Sequence, residues 1–193
     1  KLQIICTFSI LCAEMRTTML QDMQKNFEIK KIKRSACKMK EPHSHPFHEL
    51  FYLAKGECTA FLSHNIYKFS KGDIVIVPAG TIHKTDYTGK GINERIVISF
   101  KTSVTDWLSN VVGTDIVSDV MQTGVITIPE KRRDYIEKLL DKLIFENEGQ
   151  DPLSPGFVSV ALAELILFIA RCKQYEENVI KEIDVDNQIM QEV

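Results

Sequence analysis

Three histidines and one glutamate are the residues of this chain best suited to shared chemistry. His43, His45 and Glu49 have the same parity along one extended segment, so on a regular strand their side chains project from one face. Phe51 and Leu53 continue that parity inward, while His48 has the opposite parity and is expected to point away. His83 arrives from a later segment, just past Pro78-Ala79-Gly80. Three imidazoles and a carboxylate that converge suit a divalent transition metal (zinc, nickel, iron or manganese), with positions left for water or ligand. The same four groups could instead line a pocket and hydrogen-bond an organic molecule. Pro46 cannot donate to a strand ladder, so an edge or bulge is expected between His45 and Glu49.

The elements that must carry these groups read as mainly β followed by α. From Phe27 to Phe100 short runs alternate with period two, giving expected strands at 27–35, 49–55, 57–62, 66–69, 73–77, 82–87 and 92–100. Turns are marked by Gly56, Ser63-His64-Asn65, Lys71-Gly72, Ala79-Gly80 and Gly89-Lys90-Gly91. Residues 74–77, Ile-Val-Ile-Val, are apolar on both faces and call for cover on both sides. Many short strands at close spacing imply a closed barrel or sandwich. Within it, Tyr87 and Arg95 fall where they could reach the barrel mouth and contact a small effector. His64 reads as a turn residue and Trp107 as packing.

Residues 101–126 show no clear pattern. A helix over 129–146 follows, with Tyr135, Ile136, Leu139, Leu140, Leu143 and Ile144 at helical spacing. A loop at 147–153 leads to a second helix over 155–174, capped by Ser154 with Pro155 at its first position. That helix is apolar nearly all round from Phe157 to Ala170, broken by Ser159 and Glu164. Such a helix is normally buried, here against the barrel and against a second copy of the chain. A homodimer through 129–146 and 155–174 is therefore expected. Residues 175–186 read as an acidic linker, and Asp186 as the cap of a third helix, 187–193, that stops before its pattern completes.

Composition is that of a soluble globular chain: 193 residues, 44% hydrophobic, 26% charged, net charge −2. That balance argues against extensive nucleic-acid contact by these residues, and the basic run from Lys30 to Lys40 reads as a solvated strand face. Five cysteines, at 6, 12, 37, 58 and 172, form no close pair, which fits reduced thiols in a cytoplasm. Leu2 to Ala13 is apolar but too short to span a bilayer, so residues 1–23 read as an N-terminal extension. Neither a glycine-rich phosphate loop nor a nucleophile–base pair stands out, so no catalytic residue is assigned.

The histidine spacing resembles the cupin superfamily. His43-Ser44-His45, three residues, Glu49, six residues and Gly56 follow its first motif; Gly72, Pro78, Gly80 and His83 follow its second. Cys37 replaces the leading glycine of the first motif and Tyr87 the closing asparagine of the second. The resemblance implies a jelly-roll β-barrel, here followed by a helical hairpin. More narrowly, His-Ser-His-Pro-Phe-His-Glu-Leu-Phe-Tyr-Leu, then Gly-Glu, then Lys-Gly-Asp-Ile-Val-Ile-Val-Pro-Ala-Gly-Thr-Ile-His, is similar to the sensor domain of AraC-type bacterial transcriptional regulators. That likeness implies a sensor barrel at 24–110, a dimerisation hairpin at 127–175, and at 176–193 a linker opening a helix-turn-helix DNA-binding domain that lies beyond this chain. It implies a small-molecule effector held by His43, His45, Glu49, His83, Tyr87 and Arg95, mostly without metal, with DNA contacted only through the further domain. The rival expectation is a free-standing metal-dependent cupin enzyme, a dioxygenase or isomerase; a purely structural barrel ranks behind both.

Overall fold

The computed structural model describes residues 25–191, and the side chains of 25–88 and 91–175. The expected extension at 1–23 lies outside the described residues. Strands β1 (Phe27–Lys38), β2 (His48–Lys55), β3 (Glu57–Leu62), β4 (Asn65–Ser70), β5 (Asp73–Val77), β6 (His83–Phe100) and β7 (Gly124–Thr127) make one antiparallel sheet. Helices α1 (Thr102–Val112), α2 (Thr114–Val120), α3 (Glu130–Glu148) and α4 (Ser154–Gln191) accompany it. The expected mainly β fold with a following helical pair is the one observed.

β6 organises the barrel. One of its edges pairs with β1; the other pairs with β3 over residues 83–87 and with β2 over 94–100. The two strands expected at 82–87 and 92–100 are thus a single strand. Gly89-Lys90-Gly91 does not reverse the chain: between the pairs Ser35↔Ile92 and Cys37↔Tyr87 the extra residues of β6 bulge outward, with Gly91 at φ +94.

Strand alternation separates two cores. Leu50, Tyr52, Ile74, Ile76, Ile96 and Ile98 point outward and pack with the helices. Phe51, Leu53, Val75, Val77 and Val97 point inward, where they meet Cys58, Ala60, Leu62 and Phe69 of β3 and β4. All five residues of β5 are buried, as a doubly covered strand requires. The lysines and Arg34 of the basic run in β1 are exposed, a solvated face.

Residues 101–126 resolve into α1, α2 and β7. Gly113, at φ +106, parts the two short helices, and β7 pairs with β5 from Asp73↔Thr127 to Ile76↔Gly124. The sheet therefore takes its last strand from beyond the boundary expected at 110.

α3 and α4 form the expected hairpin, a residue or two longer at its inner ends. Tyr135 of α3 stacks on Phe168 of α4 at 5.1 Å and donates its hydroxyl to Glu164. Tyr52 donates to Glu137 Oε1 at 2.8 Å, which fastens the hairpin to the barrel. Lys173 reaches the Asp119 carboxylate at 2.7 Å and its carbonyl oxygen at 2.6 Å. One expectation for α4 needs correction. It continues unbroken to Gln191, so the backbone of 175–186 is helical and no linker separates a third helix. No Gly or Pro interrupts that stretch, and its Glu, Lys and Ile residues carry little helix penalty. Phe157, Val160 and Leu167 of α4 are 48%, 62% and 44% exposed, the part of the helix that its own chain does not cover. The segment Ser154–Tyr175 is long and apolar enough to cross a membrane, yet 67% of that window is buried.

Candidate functional site

The histidine cluster is built by a loop, a bridge and a strand end. Pro46 keeps residues 44–47 out of the ladder, so β2 starts only at His48. His43 pairs instead in an isolated bridge with His83, the first residue of β6. Between them His45 lies in the loop, its carbonyl accepting from the Gly80 N–H at 2.8 Å. The convergence expected from strand parity is therefore real for Glu49, which pairs with Val77 and Ser99, but comes from the loop's path for His43 and His45.

One ligand atom from each of His43, His45 and His83 lies within 4.8 Å of the others. These three histidines could hold a metal ion. His43 is exposed, His45 half-buried and His83 buried at 3% exposure, so the cluster grades from solvent into the barrel. Two of the rings have their tautomers set by carbonyl acceptors. His45 Nδ1–H donates to Phe47 O at 2.8 Å and His83 Nδ1–H to Thr81 O at 2.9 Å, which leaves a lone pair on each Nε2. Burial lowers the His83 pKa, against the raising effects of the Thr81 carbonyl and Glu49, and favours the neutral ring a metal needs.

Glu49 stands beside His45, with Oε2 3.5 Å from Nε2. His45 Nε2 is buried and makes no hydrogen bond. The pair is thus two lone-pair groups facing each other, and such an arrangement is stable only with a proton or a cation between them. Two ligands held about 2.1 Å from a tetrahedral ion stand roughly 3.4 Å apart, so the His45–Glu49 spacing suits coordination. Three imidazole nitrogens suit a divalent transition metal, and the Glu49 carboxylate stands beside one of them. His48 points out of this cluster, as expected: its Nδ1 accepts from the Ala79 N–H at 3.2 Å and its ring stacks on Phe100 at 5.7 Å. A groove of about 510 Å³ runs past Phe47, which stacks on His45, to Lys25, Ser99 and Lys101.

Tyr87 and Arg95 lie elsewhere in the barrel. Both point inward from β6, Tyr87 opposite Cys58 and Arg95 opposite Leu53. The Arg95 guanidinium sits 5.2 Å from the Phe51 ring centre and 5.3 Å from that of Tyr87. Tyr87 is 4% exposed and does not open on the mouth, while Arg95 is half-buried with its Nε enclosed. Burial pushes the Tyr87 phenol and the Cys58 thiol each up to about 12, so both stay protonated near neutral pH. Cation–π contacts contribute about 1–2 kcal/mol each. The expected six-residue effector set is thus two groups, one around the histidines and one around Arg95. Sequence reading missed Phe47, Cys58 and Asn93, the last because its amide serves the β2–β3 turn through Glu57 N–H.

Comparisons with known proteins agree with this architecture. Residues 36–99 match the cupin domain family. No curated protein matches the chain. Among solved structures it is similar to apo ToxT from Vibrio cholerae (9% identity, TM-score 0.55), over 72% of this chain and 54% of that one. It is also similar to the Cnp3 cupin domain of Schizosaccharomyces pombe (13%, TM-score 0.39), over 44% and 63% respectively. An RmlC-like cupin family protein with a double-stranded β-helix fold from Methanocaldococcus jannaschii is 22% identical, with a TM-score of 0.36 over 39% of this chain and 71% of that one. The chain spans less than two thirds of ToxT and of the Cnp3 domain. The fold is the cupin jelly roll, an antiparallel barrel followed by helices.

Proposed function

We propose that this chain is the effector-sensing and dimer-forming portion of an AraC-type bacterial transcriptional regulator that acts in the cytoplasm. The observation that carries the reading is the exposed apolar stripe of α4, formed by Phe157, Val160 and Leu167. A barrel that needed only cover would leave no such stripe; a barrel that must pair with a second copy would. The ToxT likeness, which covers more of the chain than β1–β6 and so takes in helical elements, supports the shared order of barrel and helices.

In this reading a small molecule enters the barrel, near the histidine cluster or the Arg95 pair. Its preference for one of two arrangements of the barrel and its N-terminal segment, about 24–42, biases the dimer and so the DNA-binding domains it carries. The coding sequence beyond Val193 tests this: two helix-turn-helix motifs are expected, and a stop codon there would sink the regulator.

A metal-dependent cupin enzyme is the second reading, favoured by the three-histidine cluster. A bound metal would supply Lewis-acid polarisation of a substrate oxygen. His45 and His83 would present Nε2 to it, their rings held by the Phe47 and Thr81 carbonyls, and Glu49 would stand beside it as carboxylate. Purified protein that holds no stoichiometric metal would remove this reading.

A further inference from the structure

Arg95 is half-buried on the inner face of β6, and its buried Nε has no partner among the described residues. Among the described residues no carboxylate or carbonyl accepts a hydrogen bond from it; its only neighbours of note are the faces of Phe51 and Tyr87. Beside it the Tyr87 hydroxyl is buried and unpartnered, and so is Asn93 Nδ2 on the same inner face of β6. Guanidinium N–H, phenol O–H and amide N–H are all donors. Buried polar groups are almost always paired, so three unpartnered donors on one strand face ask for a common acceptor.

We propose that Arg95 and Tyr87 form a carboxylate-binding site inside the barrel, distinct from the histidine cluster, and that the effector sensed there carries a carboxylate group. The planar guanidinium matches a planar carboxylate through two parallel hydrogen bonds. Glu49 lies opposite Ser99, four residues along β6 from Arg95, which puts the two levels roughly 13 Å apart along the strand. A groove of about 500 Å³ is lined by Glu57, Cys58, Lys68, Phe69, Asp73 and Thr88 among others, and of these Cys58 pairs with Tyr87. Phe69 in turn packs on Phe51 at 5.2 Å. That the bound molecule is an effector rests on the regulator reading; the anion site does not.

The test follows the Arg95 side-chain Nε–Hε signal by NMR in the whole chain, assigned with Arg95→Lys. The probes are sodium acetate and sodium benzoate, with acetamide, sodium chloride and sodium phosphate as controls. Acetate and benzoate should shift the signal saturably, and acetamide and chloride should not. Tyr87→Phe, which keeps the ring and the packing, should weaken benzoate binding about tenfold. No saturable shift with either carboxylate, an equal response to chloride, or saturation by phosphate alone would overturn the proposal. A stop codon after Val193 would end the regulator reading and leave a positive titration standing; a negative titration would end this inference alone.

Discussion

His43 and His83 exchange both of their backbone hydrogen bonds, His43 N–H to His83 O at 3.0 Å and His83 N–H to His43 O at 2.8 Å, with ring centres 4.3 Å apart. Two of the three imidazoles are thereby fixed to each other by main chain and not by side-chain packing. The bridge also ties the loop before β2 to the start of β6, which is why a proline-broken segment can still hold a cluster.

Because the bridge is made by backbone, His83→Ala removes a ring without removing the bond pair. Chelator-stripped protein titrated with zinc against a chromophoric chelator should bind the ion, and His83→Ala should bind it at least about a hundredfold more weakly. Binding should also weaken as pH falls and the imidazoles protonate. Equal zinc affinity in the two proteins would show that the rings serve as pocket or barrel structure.

How the histidines were legible in the sequence, and where legibility ended, follows from what each signal depends on. His43, His45, Glu49 and His83 stood out because motif spacing reports which residues the fold brings together, whatever backbone route does so. The route itself was misjudged at Pro46, where parity along one strand gave way to a loop and an isolated bridge. Strand limits at 57–62 and 73–77 are legible directly, since Gly56, Ser63-His64-Asn65, Lys71-Gly72 and Pro78 bound short apolar runs. β7 was missed because four residues give too short a window for periodicity, though Gly124-Val125-Ile126-Thr127 ahead of Pro129 carried a β-branched hint. The bulge of β6 was taken for a turn because glycines mark both. For Arg95, strand alternation tells which side the residue faces and nothing of its depth.

Acid should weaken the fold through His48. Its Nδ1 must stay unprotonated to accept the Ala79 N–H, and burial holds its pKa below 6.5 in the folded state. The unfolded chain takes up the proton more readily, so the stability is present above about pH 6.5 and is lost as pH falls toward the lower folded value. His48→Asn offers an oxygen in place of Nδ1 and has nothing to titrate. Urea midpoints taken from neutral pH down to about pH 5 should fall further in the unaltered protein than in the variant. Parallel curves would show that His48 contributes nothing to the acid loss.

Two glycines with similar backbone should respond differently to alanine. Gly56 (φ +101) and Gly91 (φ +94) both occupy the region that disfavours a side chain, at about 1–2 kcal/mol. A Cβ at Gly56 would also stand 1.9 Å from Asn93 Oδ1, the acceptor of the Glu57 N–H, whereas one at Gly91 meets nothing within 4 Å. Displacing Asn93 adds about 1–3 kcal/mol. Gly56→Ala should therefore lose about 2–5 kcal/mol by urea denaturation and Gly91→Ala no more than about 2 kcal/mol. Equal losses would mean that Asn93 yields freely.

The α4 stripe predicts both a dimer and its direction. Phe157, Val160, Glu164, Leu167 and Arg171 succeed one another at intervals of three and four, the spacing of a helix–helix seam. Parallel pairing would set Glu164 against Glu164 and Arg171 against Arg171 of the second copy. Antiparallel pairing centred near Leu167 sets each Glu164 against an Arg171, so the charges favour it. Light scattering at micromolar concentration should give a dimer, and Val160→Glu should shift it to monomer. Since Val160 is 62% exposed, the variant's own fold should be as stable as before. Glu164→Arg and Arg171→Glu should each weaken association and together restore it. A monomeric mass for the unaltered chain would refute the dimer, and failure of the double exchange to restore it would refute the antiparallel arrangement.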